Sequence, residues 1–453
     1  MFDYYAFIPH HGDPRLLLLR AGGRWTLPHF RQEMQQFWQN TDHINAALYE
    51  MLGIETTVLR CLYVGKDSST GHSVRIYDME NHSVGWEPPT NFRWIAREEL
   101  DDLPLSVLEH RPYMEEWFAE AAGKPVSPLR PAWARRGWFE EVSGWIESHL
   151  VRLGVERTGP VVQLRAWQRS CVLRVPTSSG DFYFKALPPM FAFEIPLLKL
   201  LAEKRPSAFP TLLAVDETRH RMLVPDFGGM SLDKIREIAV WEGAREELAR
   251  LQISLATEVG SLLAAGCPDR RLDWLAAGID GLLSDTSLLT AGYGWLSGED
   301  IARLRSLAPA WKHMCAELAT YNVPYSLEHG DLWASNIISK GPGDYLFFDW
   351  SDSSISHPFF SVLLFNTEDG AQVPAVPESH NRLREAYLRP WLAYEPMDRL
   401  LRAFDLAQTL APLHAALIYQ TRILPNMEAR WEMENMPPFF LRMLLKPEGR
   451  MGR

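Results

Sequence analysis

Cysteine is scarce in this chain: four residues in 453, at positions 61, 171, 267 and 315. Their wide separation matches neither the paired spacing of a zinc site nor a disulfide framework, and predicts reduced core thiols in a cytosolic, cytoplasmic protein. Long apolar runs are missing as well, since nothing reaches the roughly 18 uninterrupted apolar residues that a membrane-spanning helix needs. The opening MFDYYAFIPHHGDPRLLLLRAGG carries Asp3 and only four consecutive leucines, which predicts neither a signal peptide nor a membrane span. Basic residues are in deficit, 46 Lys and Arg against 57 Asp and Glu, for a formal net charge of −11. The chain therefore lacks a general positive field for a phosphate backbone, and nucleic acid is not an expected partner. Internal repeats and low-complexity tracts are absent too.

What the chain does have is core material. A hydrophobic fraction of 46%, with 17 Trp and 21 Phe, belongs to a folded globular protein, and 453 residues predict two or three domains. The clearest break is AAGKPVSPLRPAWARRG, where Pro125, Pro128 and Pro131 disfavour helix and strand alike. The expected organisation is α+β: a small domain over 1–120, a Pro-rich linker over 121–136, a strand-rich lobe with a lead-in helix over 137–228, and a helical lobe over 229–453. In the first, YYAFIP, RLLLLRA, TTVLRCLYVG and SVRIYDM read as strands. DHINAALYEMLG reads as an amphipathic helix capped by Asp42 and stopped by Gly53. After the linker, GWFEEVSGWIESHL has helical periodicity. VVQLRAW, CVLRVPT and DFYFKAL are strands, the last two joined by a hairpin turn at SSGD. A helix in EIPLLKLLAEKR, strands in TLLAVDE and HRMLVPD, and mostly helix from SLDKIREIAVWEGAREELARLQ onward complete the order.

Two stretches carry chemistry, EHGDLWASNII and YLFFDWSDSSISHPFF. Phosphoryl transfer from ATP needs a lysine on the phosphates, a carboxylate near the acceptor hydroxyl and ligands for magnesium. Lys185 lies on the third strand after the linker, Asp331 and Asn336 lie in a short polar break, and Asp349 ends the next apolar strand. A loop from Asp331 to Asn336 can turn back and aim both side chains into one cleft. Asp331 would accept or orient the hydroxyl proton, Asn336 would offer a neutral oxygen to a hard cation, and Asp349 would hold magnesium against the phosphates. Glu194 either pairs with Lys185 or is a surface helix residue. His329 reads as a packed, hydrogen-bonded histidine under the loop, and Asp352 as a second metal-side carboxylate or a turn cap.

HGDLWASN, FFDWSD, and FKA with EIPLLKLL resemble the H-G-D-x-x-x-x-N, I-D-W and lysine-glutamate motifs of the aminoglycoside phosphotransferase and choline kinase-like enzymes, over 137–445. The resemblance implies a bilobal protein-kinase-like fold, ATP and Mg2+ as cofactors, and transfer of the γ-phosphate to a hydroxyl of a small molecule. RMLVPDFGG is similar to that family's hinge, which implies that the Pro225 carbonyl and the Phe227 amide face adenine. Two departures stand out. The turn in AWQRSCV has no glycine, so Gln168, Arg169 and Ser170 would have to serve the phosphates through side chains. HPFFSV offers Ser361 where the family commonly has an aspartate supporting the catalytic loop. A nucleotide-binding regulatory module without transfer is the second reading, and a peptide or protein kinase the third. NMEARWEMENMPPFF supplies Glu428, Glu432 and Glu434 with Trp431. This is either an acidic, aromatic rim for an amine-bearing acceptor (aminoglycoside, amino sugar or amino alcohol) or a solvated helix face.

GGRWTLPHF, INAALYEMLGI and FRWIAREELDDL resemble a Nudix domain over 1–115. The glutamate run of that family's box falls here on Ala46, Ala47, Glu50 and Met51, and its loop glycines on His29 and Phe30. One carboxylate cannot build a diphosphate-magnesium site, so the resemblance implies a retained small α/β fold with hydrolysis lost.

Overall fold

The computed structural model describes residues 1–67, 70–292, 295–366, 373–374 and 376–445. It divides into two compact units, Met1–Pro188 with Arg221–Leu223, and Pro189–His220 with Val224–Arg453. The proline-rich stretch 121–136 lies inside the first unit, and the division falls between Pro188 and Pro189.

The first unit begins with β1 (Phe2–Phe7), β2 (Leu16–Ala21), β3 (Arg24–Thr26), β4 (His29–Gln32), α1 (Asp42–Leu52), β5 (Thr56–Lys66), β6 (Ser73–Asn81), β7 (Phe92–Ile95) and α2 (Arg111–Ala121). One sheet has the order β4-β1-β6-β5, with β1 parallel to β6, and a second has the order β3-β2-β7. Phe7, Leu16, Leu18, Leu27, Ile76, Ile95, Trp117 and Phe118 share one apolar core. The apolar period of α1 turns Ile44, Leu48 and Leu52 inward, and Gly53 ends the helix in the left-handed region at φ 66. The cap position is Thr41 rather than Asp42, which is already helical, and no side chain caps the first turn. Ala46 and Glu50 are exposed on the outer face of this helix, as is Met51.

The same unit continues with α3 (Trp138–Leu153) and the hairpins of β8 (Val162–Trp167), β9 (Ser170–Thr177) and β10 (Gly180–Ala186). Lys185 lies on β10 opposite Val172. The segment preceding α1 runs along β8: the Thr41 amide donates to the Leu164 carbonyl and the Ala166 amide to the Gln39 carbonyl, both at 3.0 Å. Gln163, 3% exposed, joins β8 to β5 with its side chain. Its Oε1 accepts from the Val58 amide at 2.8 Å and its Nε2 donates to the Val58 carbonyl at 2.9 Å.

The second unit holds α4 (Glu194–Lys204), β11 (Ala214–Asp216), the end of β12 (Arg221–Pro225), β13 (Met230–Ser231), α5 (Ile238–Leu255), α6 (Val259–Ala264), α7 (Leu272–Ser284), α8 (Thr286–Leu289) and α9 (Gly298–Leu318). There follow β14 (Ser326–Glu328), β15 (Ile337–Gly341), β16 (Asp344–Phe347), β17 (Ser354–Ser356), α10 (Ser379–Leu388), α11 (Met397–Ile418) and α12 (Met436–Met443). Two small sheets, β13-β15-β16 and β14-β17, sit among these helices. All four cysteines are free and buried, as expected. Among the described residues, no helix is long and apolar enough to cross a membrane.

Replacing Gln163 by Leu strands both backbone groups of Val58 in the interior. At about 1–3 kcal/mol for each buried group left unpaired, the variant is expected to lose at least about 2 kcal/mol of stability, measured by urea denaturation of the full chain.

Candidate active site

The polar break sits between β14 and β15, where backbone geometry decides what approaches what. Gly330 adopts φ 78, and a Cβ built there would lie 2.4 Å from the Asp352 carbonyl oxygen and 2.9 Å from its Cβ. Only glycine permits that conformation together with that approach. The loop bearing Asp331 is thereby seated against the segment that follows Asp349.

Each expected loop residue is held by a specific bond. Trp333 Nε1 donates to Asp331 Oδ1 at 2.8 Å, which orients the carboxylate. Asn336 Nδ2 donates to the Asp331 carbonyl at 2.9 Å, so the bond fixes which way the amide oxygen points. The Phe348 amide donates to the Asn336 carbonyl at 3.2 Å, tying the loop to the residue beside Asp349. The backbone that carries Asp349 is thereby tied to the loop that carries Asp331 and Asn336. His329 is fully buried, with Nε2 against the Phe348 carbonyl at 3.0 Å and its ring on Trp350, as the packed reading expected.

Asp349 is one of three non-glycine residues at positive φ among the described residues, at φ 65 and ψ 59. Left-handed backbone in a non-glycine residue is strained and concentrates at functional sites. Neighbours hold it there: Ser351 Oγ donates to Asp349 Oδ1 at 3.1 Å, and the Trp350 amide donates to Glu194 Oε1 at 3.1 Å. Glu194 is 1% exposed, so it is not a surface helix residue. Asp352 is buried, its carbonyl accepting from Arg270 at 3.2 Å. Pro225 ends β12, and the Phe227 ring lies on Phe348, centroids 5.1 Å apart. Ser361 supports the loop directly, since its hydroxyl accepts from the His329 amide at 3.0 Å.

Lys185 and Ser170 belong to the first unit. The turn Gln168-Arg169 between β8 and β9 is a two-residue link with no positive φ. Its ends are locked by Trp167 Nε1 donating to Ser170 Oγ at 2.9 Å and Trp133 Nε1 donating to the Trp167 carbonyl at 2.9 Å. Gln168 and Arg169 are buried side chains. The acidic segment does not match the helix-face alternative. It is a short 3-10 turn over Arg430–Glu432 rather than a helix, and helix begins only at Met436, where prolines at 437 and 438 suit a first turn. Glu432, 7% exposed, is not on a solvated face.

Glu328 and Gln252 have no sequence motif to mark them. Glu328 is 2% exposed and accepts from the Gly330 amide at 2.7 Å and from Ser354 Oγ at 3.1 Å. Burial pushes its carboxyl from 4.5 up to about 7, against the opposing pull of those bonds and of Arg270. Gln252 Nε2 donates to the carbonyls of Leu327 and Pro358 and to Ser361 Oγ, while Tyr387 Oη donates to its Oε1 at 2.6 Å. Only a polar residue falling on the buried face of α5 could have signalled this.

The family model described as the phosphotransferase enzyme family matches residues 149–400, more than half of the chain. The chain belongs to this family. Among solved structures, this phosphotransferase is similar to a Plasmodium vivax ethanolamine kinase at 13% identity, over 73% of this chain and 93% of that one, with a TM-score of 0.48. A choline/ethanolamine kinase family protein from Mesorhizobium loti is 18% identical, over 68% and 95%, with a TM-score of 0.47. A macrolide 2'-phosphotransferase from Brachybacterium faecium is 17% identical, over 69% and 100%, with a TM-score of 0.46. No curated protein matches the chain.

Glu328 makes a pH test possible. Its folded carboxyl titrates above the unfolded one, so between about pH 4.5 and 7 the folded state holds the extra proton and stability falls as pH rises. Glu328→Gln keeps both bonding partners and removes that loss. Relative to wild type, the variant is expected to gain on the order of 3 kcal/mol between pH 4.5 and 8, read by urea denaturation at each pH.

Proposed function

We propose that this phosphotransferase moves the γ-phosphate of ATP to a hydroxyl of a small molecule, with magnesium. The observation that carries the reading is the bonded cluster of Asp331, Asn336 and the Phe348-Asp349 strand end. Asp331, oriented by Trp333, receives or aligns the acceptor's proton. The Asn336 amide oxygen and the Asp349 carboxylate fit a hard cation. Among the described residues no three His, Cys, Asp or Glu side chains converge as a metal cage. Two protein ligands suit magnesium, which keeps waters and takes phosphate oxygens. When bound, the ion would neutralise charge on the phosphates. Lys185 and Ser170 would serve the phosphates, and Pro225 and Phe227 would present main chain to adenine. The overall reading is a bilobal protein-kinase-like fold over 137–445 with a Nudix-like domain before it.

For the acceptor, we propose an amine-bearing alcohol of the aminoglycoside, amino sugar or amino alcohol class, met by Glu428, Glu434 and Trp431. The buried thiols are compatible with a reducing compartment such as the cytoplasm. A regulatory, nucleotide-binding role without transfer is favoured by one observation, the closed, glycine-free turn at Gln168-Arg169.

Asp331→Ala is expected to lower transfer about 10²- to 10⁴-fold while leaving ATP affinity unchanged. Asp349→Ala should lose the magnesium dependence of nucleotide binding. Phosphate adducts detected by mass, over a panel of aminoglycosides, amino sugars, nucleosides and amino alcohols, together with nucleotide titrations with and without magnesium, test both. Near wild-type turnover in Asp331→Ala would sink the assignment.

The Nudix-like region should not hydrolyse ADP-ribose, nucleoside diphosphate sugars or dinucleotide polyphosphates, because Ala46, Ala47 and Met51 leave Glu50 alone on its helix face. The assay uses the full chain with magnesium and with manganese. Robust hydrolysis abolished by Glu50→Gln would overturn this.

A further inference from the structure

A second feature of the Pro189–His220 and Val224–Arg453 unit takes no part in the cluster above. An open cleft of about 400 Å³ is walled by Arg270, Arg422, Asp269, Trp274 and Thr421, a volume in the range of small-molecule sites. Arg270 is 6% exposed and anchors one nitrogen on the Asp352 carbonyl. Arg422 spends Nε and one terminal nitrogen on the Met190 carbonyl, at 3.2 and 2.7 Å.

Burial most strongly disfavours the charge on Arg270, Glu328 and Asp352 favour it, and Arg422 lies close enough to disfavour it more weakly. Neither arginine forms an ion pair among the described residues. Glu328 and Asp352 act on Arg270 only through longer-range attraction. The one carboxylate on the wall, Asp269, is engaged by Arg271 through two hydrogen bonds. Two neighbouring guanidinium groups without a carboxylate partner form a receptor for a planar or tetrahedral anion, which each can meet with paired donors. Trp274, half-buried against His414, offers an aromatic surface beside them.

We propose that this cleft binds a small ligand that places a carboxylate or phosphate between Arg270 and Arg422 and a flat apolar group against Trp274. The preference is opposite in sign to that of the Glu428–Glu434 segment, so the two select different groups. Arg270 also links the cleft to the loop bearing Asp331, since the carbonyl it holds is the one packed against Gly330. The anion is either a part of the acceptor or a separate effector.

Calorimetric titration of the full chain with phenyl phosphate and with phenethylamine tests the site. Phenyl phosphate is expected to bind, more weakly as salt rises, and phenethylamine not to bind. Arg422→Gln, which retains an amide donor for Met190, is expected to raise the Kd for phenyl phosphate about tenfold. Arg270→Lys should weaken it as well. Thermal melting checks both variants, and if Arg270→Lys unfolds, Arg422→Gln decides. Equal binding of the two probes, or unchanged binding in Arg422→Gln, overturns the proposal. Incubation of 4-hydroxyphenylacetate with ATP separates the sources: its phosphorylation marks an acceptor group, and altered transfer to a second acceptor without its own phosphorylation marks an effector. Binding does not depend on turnover. A chain that binds phenyl phosphate yet never transfers phosphate would refute the transfer reading alone, and the converse would refute the cleft alone.

Discussion

The candidate site depends on one close approach, the backbone of Gly330 against the carbonyl of Asp352. It brings a loop from one end of β14 to the turn before β17, two segments joined in register by Glu328 opposite Ser354. A carboxylate at that register position is costly to bury. Here it is the natural clamp, because one oxygen takes the amide that the sharp turn at Gly330 leaves without a strand partner and the other takes the hydroxyl across the ladder. The contact and its clamp are a single device, and the loop bearing Asp331 and Asn336 hangs from it.

The device is stiffened from beneath by a polar network that is satisfied rather than merely buried. Gln252 donates to two carbonyls and to Ser361, and Ser361 in turn accepts from His329. An aspartate at Ser361 would bring a charge into this interior. A hydroxyl does the same positioning by accepting one amide and one side-chain hydrogen without burying a second carboxylate near Glu328. The apparent departure from the family pattern is therefore consistent with the surroundings. The strain at Asp349, of order 1–3 kcal/mol for such backbone, is offset by the same means, through Glu194 on the next amide and Phe348 on the loop.

How much of this was legible in the sequence follows from how local each signal is. The strands and helices of the first unit were readable because period and turn residues act within a few positions, and so was the loop that turns back from Asp331 to Asn336. The cap at Thr41 was missed because its hydroxyl bonds the Gln163 carbonyl, 122 residues away, instead of its own helix. Glu328 and Gln252 were invisible for the same reason: their bonds reach partners distant in sequence. Of the two readings of the segment around Glu432, the solvated helix face fails, because the helix starts only at Met436, with Pro437 and Pro438 in its first turn.

The region before β8 bears on the Gln168-Arg169 turn through edge chemistry. An outer strand such as β8 presents unpaired amides and carbonyls that invite pairing with another chain. The 39–41 segment takes up that edge, and Gln163 crosses to Val58, so the early strands and the β8-β9 hairpin share hydrogen bonds and not only apolar contact. Trp133 then reaches the carbonyl of Trp167 at the very base of the Gln168-Arg169 turn. A glycine-rich turn obtains its fit to phosphate from backbone freedom. A turn without glycine has fewer backbone conformations open to it, and in this chain the bonds of Trp133 and Trp167 fix its ends.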